Sequence, residues 1–195
     1  MLSPFREELR MTPRRALVVT TPKSTFKECT QTLFQQAALA NLESWCFVNL
    51  PQEELKSLSG VLGKEVRYAQ HEHSSLAGRL DEIITLLEKE GIEEVVILDS
   101  TAPRMDLDWI LRAFEMVNLG KTVVRQGCEG GIVFLATRLP FEARFCEPSG
   151  YKPKRGHHFI TWLRWNGKDV IHLAPTRIQS AQYQERNPIK RVRST

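Results

Sequence analysis

The chain contains no CxxC pair, no glycine-rich phosphate loop, no nucleophile elbow and no apolar run of membrane-spanning length. Its four cysteines, Cys29, Cys46, Cys128 and Cys146, lie far apart, which removes the paired spacing that a zinc site or a dithiol redox motif needs. Isolated thiols fit a reducing compartment and predict a cytoplasmic protein. No stretch approaches the roughly 18 to 20 apolar residues that cross a bilayer, so no membrane span is expected. The first fifteen residues, MLSPFREELRMTPRR, are polar and include acids, unlike a secretory signal or a transit peptide. The absence of G-x-S-x-G, of a Walker loop and of G-x-G-x-x-G excludes the simplest hydrolase, P-loop and dinucleotide-binding readings.

What is present is ordinary in amount and uneven in placement. With 195 residues, 42% hydrophobic and 26% charged, the chain suits one domain, or one domain with an appendage. The net charge is +4, but residues 150–195 carry ten lysines and arginines against Asp169 and Glu185, a balance of +8 that leaves residues 1–149 at −4. Such asymmetry suggests either a basic appendage that meets an acidic partner or a solubilising tail.

Strand-like and helix-like patterns alternate along the acidic part. ALVVTT (16–21), WCFVNL (45–50), EVRYA (65–69) and EVVILD (94–99) read as strands. EVVILD is a near-continuous apolar run, which suits a strand covered on both faces. Between them lie helical patterns over 26–44, from Pro51 onward, and from Ser74 or Ser75 to Gly91, the last with Leu76, Leu80, Ile83, Ile84 and Leu87 at helical spacing. Asp106 or Asp108 would cap a further helix with Leu107, Ile110, Leu111, Phe114 and Val117 as its buried stripe. KTVVRQ and GIVFLATRL follow as strands around a turn at 127–131. Fourfold strand–helix alternation predicts an α/β fold of three layers, α/β/α, with a mostly parallel sheet. After Pro148-Ser149-Gly150, the run HHFITWLRWNGKDVIHLAP reads as a β-hairpin around Asn166-Gly167, and a basic tail follows. The expected divisions are an N-terminal extension over 1–15, an α/β domain over 16–149, and a basic hairpin and tail over 150–195.

Chemistry is expected where strands end, because open α/β sheets bind ligands at the carboxyl ends of their strands. Asp99-Ser100-Thr101-Ala102-Pro103 and the turn Gln126 to Gly131 both lie there. If the two strands are neighbours, Asp99 and Glu129 could share a divalent cation such as Mg²⁺ or Mn²⁺, whose preferred ligands are carboxylate oxygens. Alternatively, Asp99 bonds the amides of its own turn, and Glu129-Gly130-Gly131 only closes a tight turn. His71, Glu72 and His73 form either a metal site or, more simply, a solvated loop. His157 and His158 sit beside Lys154 and Arg155 as part of a basic surface.

The stretch 75–141, about a third of the chain, resembles the central part of small bacterial glycosyltransferases of the nucleotide-diphosphosugar (GT-A) fold, in the branch associated with arsenosugar biosynthesis. Leu76, Arg79 and Leu80 match that branch's leucine–glycine–x–arginine–leucine helix start. Ser100 and Pro103 match its strand-ending glycine–serine–aspartate–x–proline, and Gly130 and Gly131 its double glycine. The resemblance implies a GT-A-like domain over 16–149 that binds a nucleotide or nucleotide sugar. Lys23, Lys27, Arg79, Ser100, Gly130 and Gly131 would hold the ligand, and Asp99 and Glu129 the metal. The chain departs from the pattern at three points: Thr101 stands at the family's metal-binding aspartate, Glu129 at the acid before the double glycine, and Ile132 at its tyrosine. Its first loop, Thr20 to Lys27, carries Lys23 and Lys27 but no glycine.

Two functions follow. One is a metal-dependent glycosyl- or nucleotidyltransferase, in which no residue is assigned a catalytic role. The other is a non-catalytic scaffold that docks on nucleic acid or an acidic protein through 150–195. There, Phe159, Trp162 and Trp165 interleave with Lys154, Arg155, Arg164 and Lys168, a combination suited to base stacking with phosphate contacts and equally to packing a hairpin onto the body.

Overall fold

The computed structural model describes residues 12–21, 28–62, 65–70, 76–99, 106–127, 131–141 and 156–174. The elements are β1 (Arg15–Thr21), α1 (Glu28–Leu39), β2 (Glu43–Val48), α2 (Gln52–Leu62), β3 (Val66–Gln70), α3 (Leu76–Lys89), β4 (Glu94–Asp99), α4 (Leu107–Asn118), β5 (Lys121–Gln126), β6 (Ile132–Arg138), α5 (Gly156–Trp165) and β7 (Asp169–Leu173). The strands form one seven-stranded sheet in the order β3-β2-β1-β4-β6-β5-β7. Every pairing is parallel except those of β6, which runs antiparallel between β4 and β5.

Side-chain alternation along each strand divides the core in two. Leu17, Val19, Cys46, Val48, Val96 and Leu98 face one side, where α1, α2 and α4 cover them with Phe34, Leu58, Ile110, Phe114 and Val117. Ala16, Val18, Trp45, Phe47, Val95 and Ile97 face the other, under Leu80, Ile83 and Leu87 of α3 and Phe159, Ile160 and Leu163 of α5. The three layers are those the alternation predicts. Ile110, Phe114 and Val117, all fully buried, contribute about 1.5 to 3 kcal/mol each by leaving water. Of the two candidate caps for α4, Asp106 is the one used: its carboxylate accepts from the Trp109 N–H at 3.0 Å.

The expected C-terminal hairpin is corrected. Residues 156–165 form helix α5, and only 169–173 form a strand, which joins the main sheet parallel to β5. Phe159, Ile160 and Leu163 recur at i, i+1 and i+4, a helical stripe, and all three are buried. Gly167, at φ +72°, ends the helix, with the Lys168 N–H donating to Leu163 O at 3.0 Å. Asn-Gly therefore serves as a helix stop here, a role that asks for the same positive φ as a hairpin turn. The basic tail beyond 174 lies outside the described residues.

Candidate functional site

The chain steps from β1 to β2 to β3 in one direction, then returns to place β4 on the opposite flank of β1. The order reverses between β1 and β4, and a crevice opens outside the carboxyl ends of strands at such a point. Thr20 and Asp99 stand there as register partners. By alternation from Ala16 and Val18, and from Val95 and Ile97, both lie on the face covered by α3.

Arg79, in the first turn of α3, meets Asp99 there. Its Nη2 lies 3.7 Å from Asp99 Oδ2, and the two side chains are 10% and 11% exposed. The residue as a whole is 8% exposed, yet its Nε and Nη1 have no hydrogen-bond partner. The Thr20 hydroxyl, fully buried, has none either. Unmet buried donors cost about 1 to 3 kcal/mol each, and a cation in the first turn works against the helix dipole. Arg79 and Asp99 balance in charge, and the guanidinium still holds unspent N–H groups that suit an oxyanion.

The turn into β6 opens on the same edge, because β5 runs parallel to β7 and to the central strands, while β6 begins beside the end of β4, with Leu98 paired to Phe134. Gly131 is in that turn and accepts the Gly127 N–H at 2.8 Å. A Cβ on Gly127 would come within 2.8 Å of Val133 Cγ1, so the turn requires glycine at 127. Lys23, Lys27, Ser100, Glu129 and Gly130, expected as ligand or metal contacts, lie outside the described residues, as do Thr101 and His71 to His73.

Of the two carboxylates expected to hold a divalent cation, Asp99 is described and Glu129 lies outside the described residues. Asp99 faces a guanidinium, and no group of three or more His, Cys, Asp or Glu that could hold a metal occurs among them. The sequence marks Thr20 only as the end of a strand and the head of the first loop, not as a contact; the pairing of β1 with β4 brings it to Asp99.

At the opposite edge the charges satisfy one another. Glu94, fully buried, takes Arg15 Nε at 3.0 Å and Arg138 Nη2 at 2.8 Å. Arg14, Glu43, Arg67 and Glu90 form a chain of ion pairs beside it. A groove of about 390 Å³ between Asn41, Glu43, Ser44, Glu65 and Arg67 lies at this edge. It sits at the amino ends of β2 and β3, away from the switch point, so we place the site at the Thr20–Asp99 end.

No family model matches the sequence, and no curated protein matches it. Solved structures do. One is a protein from Desulfovibrio desulfuricans assigned as a nucleotide-diphospho-sugar transferase, 13% identical, with a TM-score of 0.65 over 84% of this chain and 81% of that one. A second is the 4-diphosphocytidyl-2C-methyl-D-erythritol synthase of Anaerococcus prevotii, 9% identical, TM-score 0.58, covering 88% and 92%. A third, a Mycobacterium tuberculosis protein in complex with manganese, is 10% identical with a TM-score of 0.52 over 89% and 97%. The chain thus has the α/β fold of nucleotide-diphospho-sugar transferases and cytidylyltransferases.

Proposed function

We infer that the protein is a nucleotide- or nucleotide-sugar-binding protein of the glycosyl- and nucleotidyltransferase type, with the ligand's phosphates at the carboxyl edge between β1 and β4. One observation carries this reading: Arg79, nine-tenths buried at the switch point, keeps two nitrogens without partners. Guanidinium groups match phosphate oxygens in both charge and geometry. The sequence adds Lys23, Lys27, Ser100, Gly130 and Gly131 as further contacts from the surrounding loops, in the pattern of the arsenosugar-type branch. Manganese accompanies one structural neighbour; for this chain, Asp99's engagement with Arg79 argues against giving it that role.

A thermal-shift screen of nucleoside diphosphates, triphosphates and nucleotide sugars tests the reading. A ligand at 100 times its dissociation constant stabilises by about 2.7 kcal/mol, which raises the melting temperature of a chain this size by about 5 to 10 °C. No shift with any nucleotide at millimolar concentration defeats it.

The alternative, a scaffold that docks on a polyanion, has one favourable observation: Trp165, 84% exposed, next to Arg164 on α5. The other two aromatics argue against it. Phe159 is in the core, and Trp162 stacks on it at 6.4 Å between centroids. Of these three aromatics, Trp165 is the one left exposed for base stacking.

A further inference from the structure

The phosphate-binding reading leaves open what neutralises the ligand's charge. We propose that Arg79 performs that task in place of a divalent cation, so that this site binds diphosphate without metal, and that Asp99 is a positioning residue for Arg79 rather than a metal ligand. The proposal rests on the nucleotide-binding reading of the same site.

Three observations point this way. Asp99 Oδ2 already faces Arg79 Nη2 at 3.7 Å, with both side chains about nine-tenths buried. A metal bound to that carboxylate, at its required 2.0 to 2.6 Å, would lie within roughly 6 Å of the guanidinium. Metal and guanidinium would then compete for the Asp99 carboxylate in a buried space. Secondly, the guanidinium is not used up by Asp99. At 3.7 Å the contact is an ion pair and not a hydrogen bond, and Nε and Nη1 have no partner. Each of the two forks of the guanidinium, Nε with Nη2 and Nη1 with Nη2, therefore keeps an unmet N–H for an oxyanion. Thirdly, the amino end of α3 and the unpartnered Thr20 hydroxyl add a positive dipole and another donor on the same face of the sheet. A polyanion satisfies all of these groups at once; a cation satisfies neither the guanidinium N–H groups nor the helix end.

Isothermal titration calorimetry of the full chain with inorganic pyrophosphate and with CDP, in excess EDTA and again with magnesium or manganese, decides the matter. The expected result is binding in EDTA, with an affinity that metal changes by less than about threefold. Arg79→Met, which keeps the buried aliphatic stem, should weaken binding by about 10- to 100-fold in both buffers. Asp99→Asn should leave binding in EDTA measurable and still indifferent to metal, while changing the enthalpy as Arg79 loses its anchor. Binding that appears only with metal and vanishes in Asp99→Asn overturns the inference and leaves the nucleotide reading standing. Absence of binding in both buffers overturns both. If Arg79→Met fails to fold, as circular dichroism would show, the comparison of wild type with and without EDTA decides by itself.

Discussion

Cys46 lies fully buried in the middle of β2, and its burial pushes the thiol up from the ordinary 9.0 to about 12. Tyr68, its register partner on β3, is raised from 10.0 to about 12 by its own burial and then by the neighbouring Cys46. Both acids are thus held protonated by the fold. Stability from a raised folded-state value is fully present below the unfolded value and is lost as pH climbs through the folded one. Urea unfolding should therefore show stability falling between about pH 9 and about pH 12, and Cys46→Ala should flatten the first part of that fall. The same burial predicts that a thiol reagent at about pH 8 leaves Cys46 unmodified until urea unfolds the chain. At this scale the sequence was partly legible. The strand pattern of WCFVNL places Cys46 in the sheet, whereas Arg79 and Asp99 each stand out without any sign that they meet. Twenty residues separate them, and contact across that span depends on how α3 lies over the sheet.

α5 shows where reading elements from a pattern succeeds and fails. The strands and helices up to β6 came through because buried runs such as EVVILD and heptad-like stripes such as that of α4 admit one period each. HHFITWLRW admits two: Phe159, Thr161, Leu163 and Trp165 alternate, while Phe159, Ile160 and Leu163 form a helical stripe. Burial decides between them, since Leu163 is fully buried and Trp165 is 84% exposed, although a strand would put both on one face. Leu163→Ala should accordingly cost about 2 to 5 kcal/mol in urea unfolding. Trp165→Ala should stay within about 0.5 kcal/mol of wild type. Equal losses in the two variants would refute the helical packing of this segment.

For the whole molecule, the sheet is complete only with β7, which closes the flank of β5, and α5 supplies Phe159, Ile160 and Leu163 to the core beneath α3. A chain ending at 174 keeps every described element and loses Arg177, Arg186, Lys190, Arg191 and Arg193 with Glu185. It should melt at the wild-type temperature and bind pyrophosphate as before. A chain ending at 155 strips three buried side chains from the core and should be insoluble or unfolded by circular dichroism. The chain ending at 174 also tests polyanion docking, because each phosphate left unneutralised makes the slope of log K against log salt shallower by about 0.9 on duplex DNA. An unchanged slope, or no binding of DNA by either the full or the shortened chain, ends the scaffold reading.

The sequence by itself determined the class of fold, because burial on both faces and the alternation of periods are local properties of a chain. It also points to the carboxyl ends of the strands as the place to expect chemistry, since Asp99 and Ser100 follow an apolar run directly. Tertiary structure alone decided what Asp99 meets. The strand order 3-2-1-4 sets Thr20 against Asp99, the crossover from β3 carries α3 onto their face, and Arg79 is thereby brought to the carboxylate. Side chains far apart in sequence share an environment only when the sheet is assembled, and the Arg79–Asp99 pair, with its unmet N–H groups, belongs to the assembled fold.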